Sequence, residues 1–158
     1  GQVGMRLCLL LRRCGIGVVA VDDQEEGENV GVAKELGLPV VIGRGADPSL
    51  LRRLSLHHAV AVAAVTQDDL QNISIAMAAR SINPDVRVVI RAGDGELANE
   101  TRSLFQLGLV RDVHRIAAAL IAARLMGSEA REVICHEDEA HLLHDDGSIE
   151  PASISAAA

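Results

Sequence analysis

Gly1-Gln2-Val3-Gly4 runs directly into the helical stretch Met5-Arg6-Leu7-Cys8-Leu9-Leu10-Leu11, which Gly15 and Gly17 stop. Val18-Val19-Ala20-Val21 follows and ends on Asp22. A glycine turn, a helix, a β-branched strand and a terminal acid, in that order, leave few folds open. Glycines at 1 and 4 let the backbone turn tightly and let the helix approach a sheet closely. The N–H groups at the helix start, at the positive end of its dipole, suit a phosphate. A carboxylate at the end of the next strand can accept hydrogen bonds from ribose hydroxyls. The unit reads as the tail of a dinucleotide-binding turn whose first strand is not in this chain. The plainer alternative is an ordinary helix start with a solvated Asp22, and only the surrounding pattern decides between the two.

That pattern continues for most of the chain. Helices are expected over Val3–Cys14, Asn29–Leu36, Pro48–Leu54, Asp68–Ile82, Glu96–Leu107 and Ile116–Met126. Asp47 is the expected N-cap of the third, with Pro48 at its first position. Strands are expected over Val18–Val21, Pro39–Ile42, Ala59–Val65, Val86–Ile90 and Leu109–Val113. They are continuous apolar runs, as strands covered by helices on both faces are. Regular βα alternation then implies an α/β fold, a doubly wound parallel sheet of Rossmann type with its strand carboxyl ends on one edge. The strand before a glycine turn lies mid-sheet in this topology, so the natural protein is expected to have residues before Gly1. Residues 1–127 form the expected lobe. Residues 128–158 form a hairpin, or the start of a second small unit, with a turn at Asp145-Asp146-Gly147-Ser148 and a tail from Ser153. The run Ile116–Ala123 is apolar almost all round and must be covered, either by another subunit or lobe or by the 128–150 segment.

Composition removes several function classes. At 158 residues and 49 % hydrophobic the chain can bury a core and is not disordered. One Phe, no Tyr and no Trp leave no stacking platform for single-stranded nucleic acid, and a net charge of −7 lacks the basic patch a phosphate backbone needs. No nucleic-acid partner is therefore expected. Three cysteines without CxxC spacing suit reduced thiols in a cytosolic setting. The most apolar helical stretch falls short of the ~20 residues that span a bilayer.

The whole stretch from Gly1 to Gly127 resembles an RCK domain, also called KTN or TrkA-N, the cytosolic regulatory module of potassium channels and transporters. Besides the glycine turn and Val18–Asp22, the resemblance rests on Leu38–Gly43 with Ala46-Asp47-Pro48 and Leu50-Leu51. It rests also on Ala61–Thr66 with Asp68, Asp69 and Asn72, and on Asn83–Arg91 followed by Glu96-Leu97-Ala98. It implies that Gly1 and Gly4 hold a diphosphate and Asp22 the adenosine ribose. The Gly43–Ala46 loop, with Gly43 and Arg44, would flank the adenine, Thr66 would close over the site, and Arg91 would reach phosphate or a neighbouring acid. The implied ligand is NAD(H) or ATP/ADP, with a divalent cation left open. The implied partners are a second copy, in a dimer or ring, and a potassium channel or transporter membrane subunit or domain. That places the chain in the cytoplasm, on the inner face of the cell membrane. One departure stands out: the family commonly has Gly-Asp-Ala where this chain has Gly43-Arg44-Gly45. A guanidinium there alters recognition of the adenine edge, favours an extra phosphate, or marks a lobe that has lost its nucleotide.

Two other readings stay beside the sensor. One is a fragment of an NAD(P)-dependent oxidoreductase, but no Tyr exists as proton donor and the single Lys, Lys34, lies on a peripheral helix pattern. No catalytic residue is therefore assigned. The other is a degenerate lobe that serves only assembly. Cys135-His136-Glu137-Asp138-Glu139, with His141, His144, Asp145 and Asp146, is rich in metal-ligand atoms. Its spacing fits no closed zinc pattern or EF-hand, and a solvated acidic turn accounts for it. His57-His58 reads as a helix-to-strand junction.

Overall fold

The computed structural model describes residues 1–93, 109–125, 127–136 and 139–152. The expected helix Glu96–Leu107 and the tail from Ser153 lie outside the described residues. The chain divides into two compact units, Gly1–Arg111 and Asp112–Ala158.

The first unit is an α/β alternation: α1 (Gln2–Arg13), β1 (Ala20–Asp22), α2 (Glu28–Glu35), β2 (Val40–Ile42), α3 (Pro48–Arg53), β3 (Ala61–Ala64), α4 (Asp69–Ile82), β4 (Arg87–Ala92) and β5 (Leu109–Asp112). A 3-10 turn at Leu56–His58 forms the junction expected at the histidine pair. Every described helix of this unit lies within two residues of its expected position. Apart from β4, which runs on to Ala92, the strands of this unit are shorter than their apolar runs, and β1 shows why. Ala20 N–H donates to Pro39 O at 2.9 Å, but proline has no N–H to return, so the ladder begins there and leaves Val18 and Val19 outside.

β1 and β2 pair in parallel, Ala20 opposite Val40 and Asp22 opposite Ile42. β3 and β4 also pair in parallel, Ala61 opposite Arg87 and Ala64 opposite Ile90, with β5 next to β4. These are two separate sheets, β1–β2 and β3–β4–β5, not one continuous ladder. The main core lies on the second: Val86, Val88, Ile90, Ala92 and Val110 pack with Leu51, Leu56, Ala76 and Ala79. Ala76 and Ala79 are fully buried, and their small side chains let α4 lie close to the strands. α1, by contrast, has no fully buried residue.

The second unit holds α5 (Val113–Leu125) and an antiparallel meander of β6 (Glu132–His136), β7 (Glu139–Leu143) and β8 (Ile149–Pro151). α5 begins ahead of the expected Ile116 because the Asp112 carboxylate accepts from His114 N–H at 2.9 Å and starts the helix there. The expected 145–148 turn joins β7 to β8, with His144 N–H donating to Ser148 O at 3.0 Å. Within this unit Ala119 and Ala123 of α5 are buried, while Ile121 and Leu125 are exposed. Among the described residues, no helix is long and apolar enough to cross a membrane.

Candidate functional site

The strand carboxyl ends and the helix amino ends of the first unit meet along one rim. Gly1 is the N-cap of α1, and its nitrogen, here the terminal ammonium, forms an ion pair with Asp22 Oδ2 at 3.7 Å. The Asp22 side chain is 29 % exposed, so a ligand can reach it. Its Oδ1 accepts from Gln24 N–H at 3.1 Å, which orients the carboxylate at the end of β1. Its backbone carbonyl accepts from Gly43 N–H at 2.8 Å, tying the end of β2 beside it. The start of α1, the acid and the Gly43 loop therefore lie together at the ends of β1 and β2.

Two of these glycines leave little room for a side chain. A Cβ on Gly43 would come within 2.7 Å of Leu50 Cδ2 of α3. A Cβ on Gly4 would sit 3.3 Å from Val65 Cγ2, just beyond β3, so a larger side chain would push α1 off that strand end. Arg44 is exposed, between Gly43 and Gly45, and its carbonyl accepts from Asp47 N–H at 3.0 Å.

Electrostatics separate the helix amino ends. α3 is capped by Asp47, which accepts from Ser49 N–H at 2.8 Å, and α4 by Asp68, which accepts from Gln71 N–H at 3.0 Å. α2 starts at Gly27 without a side-chain cap but carries Glu28 in its first turn. Among the described α-helices of this unit, α1 alone has neither a side-chain cap nor an acid in its first turn. Its first-turn N–H groups have no intrahelical acceptor, and nothing negative on the helix itself opposes an anion there.

Thr66 and Arg91 form a second group. Arg91 Nη1 donates to Thr66 O at 2.9 Å, so this guanidinium is spent in part on the end of β3. Between them lies Asn72 of α4, with 0 % exposure. Its Oδ1 accepts from Thr66 N–H and Thr66 Oγ1, each at 2.8 Å. Its Nδ2 donates to Thr66 O at 3.2 Å and Arg91 O at 3.0 Å. Asp69 Oδ2 also accepts from Gly93 N–H at 2.9 Å, which fixes the chain just past β4. The two groups approach each other where Gln71 Nε2 donates to Asp23 Oδ2 at 3.5 Å. Sequence reasoning did not assign Asn72 to the site. The available signal was its place in one helical row with Ile75, Ala76 and Ala79, where a polar residue must be satisfied internally.

Other chemistry is sparse. Burial pushes the Cys8 thiol up, which disfavours the reactive thiolate. Among the described residues no group of three or more His, Cys, Asp or Glu is placed to hold a metal ion. In the acidic segment, His144 Nε2 lies 3.0 Å from Glu150 Oε1. Asp146 accepts from the hydroxyl and N–H of Ser148, bonds that hold its carboxyl below the usual range.

The first of the solved relatives is the NAD(P)-binding domain of an exopolyphosphatase-related protein from Archaeoglobus fulgidus. The two are 26 % identical with a TM-score of 0.68, over 80 % of this chain and 92 % of that one. GsuK bound to ADP has the same fold, at 20 % identity and a TM-score of 0.64, over 75 % of this chain and 30 % of that one. Potassium channel protein 1 of Methanocaldococcus jannaschii is 23 % identical over 92 residues, which are 58 % of this chain and 28 % of that protein. This chain thus spans under a third of the channel proteins it matches. The TrkA-N domain family matches residues 1–108, and the chain belongs to that family.

Proposed function

We propose that this chain is a ligand-sensing regulatory domain. It binds an adenine nucleotide or dinucleotide and controls potassium transport through a membrane channel or transporter, without chemistry on the nucleotide. The diphosphate rests on the uncapped first turn of α1, at Gly1 and Gly4. Asp22 takes the ribose hydroxyls. Gly43 and Arg44 flank the base, and Thr66 and Arg91 border the phosphates from β3 and β4. The carrying observation is that Asp22, a reachable carboxylate at the end of β1, stands beside the first turn of α1, which carries no acid. Relatives support the ligand class: GsuK has been solved bound to ADP and bound to NAD. Differential affinity of the nucleotide for two arrangements of an oligomer would shift their populations, and a coupled pore in the cell membrane would read that shift from the cytoplasmic side.

Calorimetric titration of the chain with ADP and with NAD⁺ tests the binding step. Saturable binding of at least one is expected. Asp22→Ala should weaken it by about 1–3 kcal/mol, the loss of charge-assisted hydrogen bonds, while the melting profile stays that of a folded protein. Absence of heat with both nucleotides, and no thermal stabilisation by either, would refute the sensor reading.

A further inference from the structure

We propose that Asn72 is a positioning residue of the nucleotide site, acting on the ligand through Thr66; this rests on the nucleotide reading above. The β3–β4 register ends at Ala64 opposite Ile90. Thr66 lies just beyond the end of β3, and Arg91 stands near the end of β4. The Asn72 amide takes over at that point. It has two acceptor sites and two donors, and all four are used. Three of the four bonds end on Thr66, at its N–H, its carbonyl and its hydroxyl, and the fourth on Arg91 O. The same Thr66 carbonyl takes Arg91 Nη1, so one buried amide fixes both the bend after β3 and the acceptor that aims the guanidinium.

Packing alone does not call for this residue. Asn is a modest helix former, and burying its amide is costly unless every bond is made. Its row on α4 is otherwise Ile75, Ala76 and Ala79, where an aliphatic side chain would serve a purely structural helix. What the amide adds is a defined direction for Thr66 at the rim where the ligand is placed. The Thr66 hydroxyl is held a second time by the start of α4, accepting from Asp68 N–H at 3.2 Å. Any shift of this bend would therefore be felt at the Asp68 cap.

A double-mutant cycle on ADP affinity tests this, read by calorimetry on the full chain with Asn72→Ala, Thr66→Val and the pair. Asn72→Ala should weaken ADP binding at least about tenfold in the wild-type background and by a clearly smaller factor in the Thr66→Val background, where the hydroxyl bond is already gone and the bonds to backbone remain. A residue that only supports the fold would cost the same factor in both backgrounds, and that result overturns the proposal. Asn72→Asp keeps the acceptor for Thr66 and loses both donors; it runs through the same cycle if the alanine variant does not fold. Wild-type binding of ADP with both Asn72 variants unaffected removes Asn72 from the site and leaves the sensor reading standing. Failure of the wild-type chain to bind ADP or NAD⁺ removes both.

Discussion

Within the first unit the amino ends of α1 and α4 are built in opposite ways. α4 starts on Asp68, which accepts from Gln71 N–H, and adds Asp69 in its first turn; four of its residues are buried. α1 starts on Gly1 without a side-chain cap, carries no acid in its first turn and has no fully buried residue. The dipole and the free N–H groups are the same in kind at both ends. At α4 the chain satisfies them itself, and the carboxylate that does so would repel a phosphate. At α1 they are left for something else. On the proposed reading, the first turn of α1 takes a phosphate where the first turn of α4 takes its own carboxylate.

The sharpest way to break that comparison is to give α1 the cap that α4 has. Gly1→Asp should make the helix slightly more stable. It should weaken ADP binding by about 1–4 kcal/mol, the repulsion of two charges near 4 Å at surface-like dielectric. Titration calorimetry alongside thermal melting reads both signs, and unchanged affinity would show that no phosphate rests there. Gly4→Val tests the close approach that places α1 against the end of β3. With Val65 Cγ2 already 3.3 Å from an added Cβ, a branched side chain should cost about 1–3 kcal/mol in urea unfolding and take nucleotide affinity with it. Unfolding at the wild-type midpoint would mean α1 is not pinned by that contact. The smallest expected effect lies at the other helix. Asp68→Ala should cost about 1 kcal/mol of stability as a lost cap. A loss of binding far larger than the loss of stability would show that Asp68 serves the ligand rather than the helix.

Helix positions were legible because their signals are local. Asp47 caps α3 two residues on, Pro48 sets its first dihedral, and Asn83-Pro84 ends α4, all within a turn of where each acts. The meeting of the glycine turn with Asp22 was legible as well, since a βα unit brings the end of its strand back beside the helix start. The break between β1–β2 and β3–β4–β5 falls where the absent mid-sheet strand would pair. Two things were not legible. The start of α5 shifted to Val113 because Asp112 acts as a cap, a role that a strand-end reading of 109–113 hid. Asn72 was legible as one of the residues that carry the family resemblance, but the bonds of its buried amide were not.

Residue order by itself determined the alternation of elements, the glycine-led start of α1 and the acid at the end of β1, because each rests on dihedral freedom, capping or periodicity over a few residues. Only the tertiary structure decided that Asn72 holds Thr66 and Arg91 together. Its bond to Arg91 O crosses nineteen residues of chain, and such a bond exists only after α4 has packed onto β3 and β4 and excluded the water that would otherwise have satisfied the amide.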